Sequence, residues 1–335
     1  MKVAIVTGGA GFIGSHVVDR LLARDSIVVA IDSLACGRLE NLAAAEKSKR
    51  FNFIKADLSE PLDSWVATVK KHIPKEAEVD VWHLAANSDI AKGSENPEVD
   101  LKDTFLTTYR TLELARLFNS KKFYFASTSA VYGERREVLT EDLGPLLPIS
   151  NYGAMKLASE GAISAAVERF LKQAIIFRFP NVIGSRGTHG ALFDFVKKLT
   201  KNPKELEVLG DGNQTKPYLH VSELVEAMFA LVDSFSGHID CFNIGVLEGV
   251  TSVKFIAEEV CRQLSPEAKI VYTGGAKGWI GDVPKFQLST DKISRYGWRS
   301  KMSSNDAVVM AVCELIDDFK ARGRGASGNA ELRRG

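Results

Sequence analysis

The sequence predicts an α/β fold in which a doubly wound parallel sheet is followed by a smaller C-terminal α/β substrate domain. Three observations support this fold. Short apolar runs rich in β-branched residues alternate with longer amphipathic stretches, as in a parallel sheet that helices cover on both faces. The first apolar run leads directly into a glycine-rich turn, and an amphipathic stretch follows it. The chain has 335 residues, enough for two domains at about 150 residues each.

The predicted elements follow one another regularly through the first half of the chain. Strands are predicted at 3–6, 27–31, 51–55, 79–84, 123–126 and 174–179. Helices are predicted at 14–24, 65–71, 99–118 and 152–170. Because the first run enters a glycine turn, we interpret it as a strand and not as a signal peptide. These elements define a first domain over residues 1–178.

After Arg178 the alternation is less regular, which predicts a smaller domain over residues 179–335. Two further apolar runs flank a helical stretch in the segment 217–244, and we expect this segment to return to the large sheet. The tail 323–335 has almost no apolar residue to anchor it and is expected to be mobile.

Composition excludes several classes of protein. Apolar residues make up 45% of the chain and charged residues 25%, as in folded globular domains. The formal charge is +1, and no basic run is long enough to follow a phosphate backbone, so nucleic acid is not an expected partner. No apolar run reaches the roughly 18 residues that a membrane-spanning helix needs, so no membrane association is expected.

The four cysteines predict neither a metal site nor a disulfide framework. They are Cys36, Cys241, Cys261 and Cys313. None forms a CxxC pair, and the cysteines do not combine with histidines into the two-pair pattern of a zinc site. A reducing cytoplasm is the expected location.

The glycine-rich turn from Thr7 to Gly14 predicts a Rossmann-type dinucleotide site. Its glycines let backbone N–H groups at the start of a helix approach a pyrophosphate, which the helix dipole also favours. Asp32 ends the second predicted strand, where a carboxylate accepts hydrogen bonds from both ribose hydroxyls. That charge would repel a 2'-phosphate, so NAD is predicted over NADP, although Arg38 lies nearby in sequence. The alternative is a glycine turn that only lets the helix and strand pack.

Tyr152 and Lys156 are four residues apart in a predicted helix and therefore share one face. An ammonium beside a phenol stabilises the phenolate, so we expect the pKa of Tyr152 to be lowered enough for it to act as a general base. Residues 127–129, Ser-Thr-Ser, end an apolar strand, and ligands bind at the carboxyl ends of parallel strands. Asp57, after the third strand, is a candidate for the adenine amino group or for a helix cap.

In these motifs the chain resembles the extended short-chain dehydrogenase/reductase family, and within it the nucleotide-sugar epimerases of the UDP-glucose/UDP-galactose 4-epimerase type. The resemblance covers about residues 1–320. The segments that carry it are TGGAGFIGSH at 7–16, HLAA at 83–86, STSAVYGE at 127–134, YGAMKLASE at 152–160, RFPNVIG at 178–184 and YLHVSELVEA at 218–227.

The resemblance implies a reversible oxidation at the sugar C4 with tightly held NAD, in a homodimer built on the helices near 99–118 and 152–170. It assigns Thr128, Tyr152 and Lys156 to catalysis. The residues it implies for the cofactor are Gly8, Gly11, Phe12, Ile13, Asp32, Ser33, Asp57, Leu58, Leu84, Ala85, Ala86, Thr104, Ser127, Tyr152 and Lys156. Those it implies for a nucleotide-sugar substrate, with a UDP-sugar favoured, are Ser88, Ser129, Asn181, Lys216, Lys277, Trp279 and Asp282.

The reaction within the family depends on the residues that follow Thr128. Sugar-nucleotide 4,6-dehydratases resemble one another in having Thr-Asp-Glu there, and UDP-glucuronate decarboxylases in having a Glu in the same segment. Here Thr128 is followed by Ser129 and Ala130, so those acids and bases are missing and a 4-epimerase is predicted. A dehydratase, a 4-keto-sugar reductase or dehydrogenase, and a non-catalytic dinucleotide-binding regulator are the alternatives.

The substrate-binding positions depart from the best-known epimerases. Lys216 replaces an Arg, which removes a bidentate phosphate contact, and Trp279 replaces a second Arg. Lys277 is expected to supply the charge instead, while Trp279 either stacks on a base or packs in the loop. The nucleotide therefore stays open among UDP, GDP and dTDP. Phe286 occupies the position that is small in family members accepting N-acetylated sugars, so unmodified hexoses are predicted.

Overall fold

The computed structural model describes residues 1–135, 137–246, 248–275 and 286–331. The chain forms two compact units. The first comprises Met1–Pro180, Ser222–Gly245 and Phe286–Arg299, and the second comprises Asn181–Val221, Val246–Lys285 and Ser300–Gly335.

The first unit is built on a seven-stranded sheet in which every pair of neighbours is parallel. Its strands are β1 (Lys2–Thr7), β2 (Ile27–Asp32), β3 (Phe51–Lys55), β4 (Glu78–His83), β5 (Lys122–Thr128), β6 (Gln173–Phe179) and β11 (Ile239–Asn243), in the spatial order β11-β6-β5-β4-β1-β2-β3. The chain changes direction across the sheet between β1 and β4, and ligands of such sheets bind at the carboxyl ends of the strands beside that point. The predicted doubly wound Rossmann-type sheet is confirmed.

Helices flank this sheet. The helices of the first unit are α1 (Phe12–Ala23), α2 (Val66–Lys70), α3 (Ile90–Glu95), α4 (Pro97–Asp100), α5 (Thr107–Leu117), α6 (Asn151–Arg169), α8 (Val221–Ser234) and α10 (Asp291–Ser294). The core on one face joins Val29 and Phe123 of the strands to Leu114 of α5 and Ile163 of α6. Continuous apolar strands can be buried in this way because neither face meets water.

The helix expected over 99–118 contains a π-helical segment, Leu101–Leu106, between α4 and α5. Threonine side chains satisfy backbone carbonyls along it: the hydroxyls of Thr107 and Thr108 each donate to the carbonyl of Thr104 at 2.9 Å. The hydroxyl of Thr111 donates to the carbonyl of Thr107 at 2.6 Å. These hydroxyls bond to carbonyls of the π segment, where the helical pitch changes and the regular backbone N–H donors are shifted. Segments of π-helix occur frequently at functional sites.

In its described residues, the second unit is an α/β unit with three helices and three short pairs of strands. Its strands are β7 (Asn181–Ile183), β8 (Glu205–Val208), β9 (Thr215–Lys216), β10 (Tyr218–His220), β12 (Thr251–Ser252) and β13 (Lys269–Tyr272), paired as β7–β10, β8–β13 and β9–β12. Its helices are α7 (Ala191–Lys201), α9 (Val253–Leu264) and α11 (Ser304–Glu331). Phe195, Val260 and Val312, one from each helix, meet in its core.

The units divide the chain differently from the sequence prediction. Of the segment 217–244, α8 and β11 belong to the first unit, but β10 pairs with β7 in the second. Residues 286–299, expected in the second domain, join the first unit because Leu288 bridges Leu139 and packs in its core. In the tail 323–335, expected to be mobile, the helix α11 continues to Glu331.

Within the described residues, no helix has the length and apolar character to cross a membrane. In the same part of the chain, no three His, Cys, Asp or Glu side chains are grouped as metal ligands would be.

Candidate active site

The turn between β1 and α1 consists largely of glycines, so its backbone is accessible where a pyrophosphate is predicted to bind. Gly8 has a φ of 67° and lies against the end of β4, where an added Cβ would come within 2.8 Å of the Ala85 nitrogen. Gly11 is the N-cap of α1 and makes no side-chain capping bond, so the first N–H groups of the helix, from Phe12 and Ile13 onward, remain for a ligand. This backbone fits the pyrophosphate of a dinucleotide.

Asp32 lies at the end of β2, beside this turn. Its Oδ2 accepts the N–H of Ala10 at 3.1 Å, and its Oδ1 accepts the N–H of Leu34 at 2.8 Å. Burial raises the pKa of the carboxyl, and these backbone bonds oppose the rise. A Cβ on Gly37 would lie 2.6 Å from Oδ1, so only glycine leaves room for the carboxylate. Asp32 is therefore held where the adenosine ribose is predicted to bind.

Ser33, Asp57 and Leu58 follow β2 and β3 at the same edge of the sheet. Asp57 Oδ1 closes a turn by accepting the N–H of Ser59 at 2.9 Å and its hydroxyl at 2.6 Å. Burial opposes ionisation, but these bonds and the nearby ammonium of Lys102 leave the pKa of Asp57 lowered. Leu58 packs in the core, so only its backbone is available to a cofactor, while Ser33 is exposed.

A buried hydrogen-bond chain fixes the end of β4 against the glycine turn. Thr108 donates to the carbonyl of Thr104, so its hydroxyl oxygen accepts from Nε2 of His83 at 2.9 Å. Nδ1 of His83 then accepts the hydroxyl of Thr7 at 2.6 Å, and Thr7 in turn accepts the N–H of Leu84 at 3.2 Å. Burial holds the pKa of His83 well below its usual value, which keeps the ring neutral for both roles. His83 thus positions the predicted cofactor residues Leu84, Ala85 and Ala86.

Two polar residues near this loop were missed by the sequence analysis. Asn87 donates from its backbone to Thr104 Oγ1 at 3.2 Å and from its side chain to Asp100 Oδ1 at 2.8 Å. Asp100 is fully buried, and its Oδ2 has no hydrogen-bond partner among the described residues. Burial raises the pKa of this carboxyl. A polar residue after a strand end and an acid in a helix between two motifs were the only signals in the sequence.

Local geometry brings Tyr152 to the end of β5. The hydroxyl of Ser150 accepts the N–H of Gly153 at 3.1 Å and caps α6. A Cβ on Gly153 would lie 2.7 Å from the carbonyl of Ala130, so glycine lets α6 approach the turn after β5. The Thr128 hydroxyl accepts the N–H of Ala130 at 3.1 Å, and the Thr128 side chain lies near enough to Tyr152 to favour its ionised phenol. The structure thus brings the predicted Thr128 and Tyr152 together.

The electrostatics of this pair differ from the sequence prediction. Burial raises the pKa of Tyr152, the charge of Asp100 raises it further, and the Thr128 side chain opposes the rise. The expected lowering by Lys156 is not found, because the Lys156 ammonium donates to the carbonyl of Ala126 at 2.6 Å and lies 5.9 Å from the Tyr152 ring centre. Burial lowers the pKa of Lys156 itself to about 7, and Glu160 opposes that change. Lys156 thus gains or loses its proton near neutral pH.

Ser127, predicted to bind the cofactor, belongs to a buried polar network that the sequence analysis missed. Its hydroxyl donates to Glu160 Oε1 at 2.5 Å, and Arg178 binds both oxygens of Glu160 at 3.0 and 2.6 Å. Arg178 also donates to the Tyr132 hydroxyl at 3.0 Å, which donates to Asn243 at 2.8 Å. Glu160, Arg178 and Tyr132 all stand in the motif segments above, but a motif does not show which side chains meet.

The predicted substrate residues lie in different parts of the structure. Ser88 is exposed, and Ser129 begins the short 3-10 turn after Thr128. The ring of Phe286 is partly buried against a core cluster of the first unit that includes Leu288. In the second unit, Asn181 pairs with Tyr218 across β7 and β10, and Lys216 pairs with Thr251 across β9 and β12. Lys277, Trp279 and Asp282 lie outside the described residues.

The first unit therefore joins a dinucleotide cradle to an acid-base group at one edge of its sheet. The strands β1, β4 and β5 are neighbours in the sheet, and Thr128, the last residue of β5, lies beside Tyr152. A hydroxyl, a phenol and an ammonium at this edge can bind a substrate oxygen and remove its proton.

The comparison with known proteins agrees with this geometry. Residues 4–245 match the model of the NAD dependent epimerase/dehydratase family. The chain is 29% identical to a putative UDP-glucose 4-epimerase of Methanocaldococcus jannaschii, over 92% of this chain and 96% of that protein. It is 30% identical to UDP-glucuronic acid decarboxylase 1 of Arabidopsis thaliana, over 95% of this chain and 70% of that protein.

A solved structure shares the fold. The UDP-glucose 4-epimerase of Thermus thermophilus, solved in complex with NAD, superposes with a TM-score of 0.80 at 28% identity, covering 94% of this chain and 99% of that one. NAD, which the glycine turn and Asp32 predict, is confirmed as the cofactor. The match of the family model over residues 4–245 shows that the chain belongs to the NAD dependent epimerase/dehydratase family.

Proposed function

We propose that the protein is a UDP-sugar 4-epimerase that acts through a transient 4-keto sugar, with UDP-glucose and UDP-galactose as its substrate pair. The observation that carries the proposal is the contact of Thr128 with Tyr152 at the sheet edge that holds the dinucleotide turn. Ser129 and Ala130 follow Thr128, so this turn lacks the carboxylates that would favour a dehydratase or a decarboxylase.

In the proposed mechanism, each of the three residues has one task. NAD, when bound, would supply the hydride acceptor and donor for C4, so the net reaction would be redox-neutral. Tyr152 accepts the proton of the sugar 4-hydroxyl and gives it back when the alcohol forms again. Thr128 donates a hydrogen bond to the same oxygen. Lys156, whose ammonium donates to the Ala126 carbonyl, would bind the nicotinamide ribose.

The raised pKa of Tyr152 fits this mechanism when the cofactor is considered. Burial and the charge of Asp100 both favour the neutral phenol. A positive charge beside the phenol would counter both effects. We therefore propose that Tyr152 ionises readily only once oxidised cofactor is bound, which couples proton removal to a loaded site.

The relatives support UDP-sugars as the substrate class, because both of the relatives named above act on them according to their names. Asn181 and Lys216 of the second unit are the proposed contacts for the nucleotide part. The similarity to a UDP-glucuronic acid decarboxylase keeps a decarboxylase as the second candidate, and product mass distinguishes the two.

A homodimer is proposed on the outward faces of α5 and α6. Tyr109 of α5 is 46% exposed, and Leu101, in the π-helical segment that precedes α5, is equally exposed. On α6, Ala158, Gly161 and Ala165 are exposed small residues at helical spacing, which permits close packing against another helix. Gly161→Glu should convert dimer to monomer in sedimentation while NAD binding is retained.

The proposed location is the cytoplasm, which fits four cysteines that are all free.

The test is to incubate the purified protein, without added cofactor, with UDP-glucose, UDP-galactose, UDP-GlcNAc, UDP-glucuronate and GDP-mannose. Products are separated by mass and stereochemistry. Interconversion of UDP-glucose and UDP-galactose at constant mass, lost in Tyr152→Phe, supports the proposal. Loss of carbon dioxide from UDP-glucuronate would indicate a decarboxylase instead, and loss of water would indicate a dehydratase. Turnover only with added NAD or NADH would indicate a dehydrogenase. Equal turnover of UDP-GlcNAc would contradict the role given to Phe286.

A further inference from the structure

Lys156 and Glu160 reach consecutive residues of β5 from one face of α6. Lys156 Nζ donates to the carbonyl of Ala126 at 2.6 Å, and Glu160 accepts the hydroxyl of Ser127 at 2.5 Å. The next residue of the strand is Thr128. Two adjacent hydrogen bonds therefore tie the helix that carries Tyr152 to the strand end that carries Thr128.

Glu160 can hold this position because its carboxylate is fully satisfied. Arg178 binds both of its oxygens, and the two side chains are only 7% and 5% exposed. Glu160 is bonded to Ser127 on β5, and Arg178 lies on β6. The pair is linked to Asn243 on β11 through the Tyr132 hydroxyl. A buried ion pair of this kind stabilises little by itself, and its value lies in fixing one arrangement of the groups around it.

We infer that Glu160 is a positioning residue: it ties α6 to Ser127 and so holds Lys156 on the end of β5. The inference rests on the proposed function, because it concerns the lysine of the proposed catalytic set. Removing the negative charge of Glu160 leaves Lys156 buried with no carboxylate beside it, so the ammonium should lose its proton at lower pH. Glu160 thus affects Lys156 in two ways, through the position of α6 and through its negative charge.

Other ionisable groups near Lys156 do not replace Glu160. They are Tyr152 on the same helix, His83 from β4 and, beyond Glu160, Arg178 from β6. His83 is kept neutral by burial, and Arg178 is positive, so neither stabilises an ammonium. Tyr152 does so only when it is ionised.

The experiment compares Glu160→Gln with the wild type as NAD-loaded enzyme, measuring NAD affinity and turnover of UDP-glucose from pH 6 to 9. We expect kcat to fall about tenfold or more with KM changed less than about twofold. We also expect the alkaline fall of both profiles to move to lower pH by about half a unit or more. Loss of melting temperature with unchanged pH profiles would overturn the inference and leave Glu160 a purely structural residue.

Two further variants keep the test decisive. If Glu160→Gln does not fold because Arg178 is left unpaired, the double variant Glu160→Met with Arg178→Met removes both charges and is expected to show the same shift.

Glu259→Gln is the matched control, since Glu259 is also buried on a helix and bound by an arginine, Arg262, but lies in the second unit. Its pH profiles should match the wild type. A wild type that binds NAD but converts no UDP-sugar would defeat the proposed function, while the NAD profiles would still decide the role of Glu160.

Discussion

The carboxylate of Asp100 fills the space that a side chain at Gly93 would need. A Cβ on Gly93 would overlap Asp100 Oδ2, and the carbonyl of Gly93 accepts the Asn151 side chain at 3.1 Å. Asn151 precedes Tyr152 at the start of α6. A buried acid is thus held next to the first turn of the helix that carries the proposed base, and its charge raises the pKa of Tyr152.

We expect Asp100→Asn to make Tyr152 easier to ionise. The amide keeps the bond pattern toward Asn87 but carries no charge, so the pKa of Tyr152 should fall. The acid limb of the pH dependence of kcat, where the base gains its proton, should move to lower pH. Asp103→Asn removes a charge from the neighbouring π segment and should leave that limb in place. An unmoved limb in Asp100→Asn would show that Asp100 does not influence the base.

Asp80, on β4, should lower stability at neutral pH. Burial raises its pKa to about 6, Lys122 opposes the rise, and its Oδ1 has no hydrogen-bond partner among the described residues. The folded-state pKa lies above the ordinary value of 3.8, so folding favours the protonated form. Its contribution to stability is therefore complete below about pH 4 and is lost as the pH rises through about 6.

Asp80→Asn should accordingly raise the free energy of unfolding by about 1 to 3 kcal/mol at pH 8 and by much less at pH 4.5. Urea unfolding at both pH values measures the difference. Glu76→Gln, at an exposed position just before the same strand, is the control and should have little effect at either pH. A gain of equal size at both pH values would point to a cause other than ionisation.

The sequence predicts the large sheet well and the site only in part. Strand apolarity and the glycine turn are local signals, so the order of elements and the places of Asp32 and Tyr152 follow from them. The Glu160–Arg178 pair and the buried Asp100 depend on contacts between residues 18 or more positions apart or on space left by a glycine, which no local pattern encodes. The pKa of Tyr152 could not be predicted either, because helical spacing does not show that Lys156 binds the Ala126 carbonyl.

Asp32→Asn should weaken NAD binding and reduce its preference over NADP. The amide can accept only one of the two backbone bonds from Ala10 and Leu34, and it no longer repels a 2'-phosphate. We expect the Kd for NAD to rise about 10- to 100-fold, as for the loss of one or two charge-assisted bonds. Calorimetric titration with NAD and with NADP measures both. A preference for NAD equal to that of the wild type would assign cofactor selection to another residue, with Arg38 the next to test.

Gly8→Ala should abolish NAD binding and also destabilise the fold, because two separate constraints act on this residue. The φ of 67° strains any residue with a Cβ, and that Cβ would lie 2.8 Å from the nitrogen of Ala85 and 3.0 Å from the carbonyl carbon of Leu84. Relief of this overlap requires β1 and the end of β4 to separate, which breaks the hydrogen bond between Leu84 and Thr7 that aligns the predicted cofactor loop. We expect a loss of about 2 kcal/mol or more in unfolding free energy, measured in urea, and no detectable NAD binding by fluorescence. Gly144→Ala, where a Cβ meets no atom within 4 Å, is the matched control and should retain both properties, whereas full NAD affinity in Gly8→Ala would show that the cofactor does not bind at this turn.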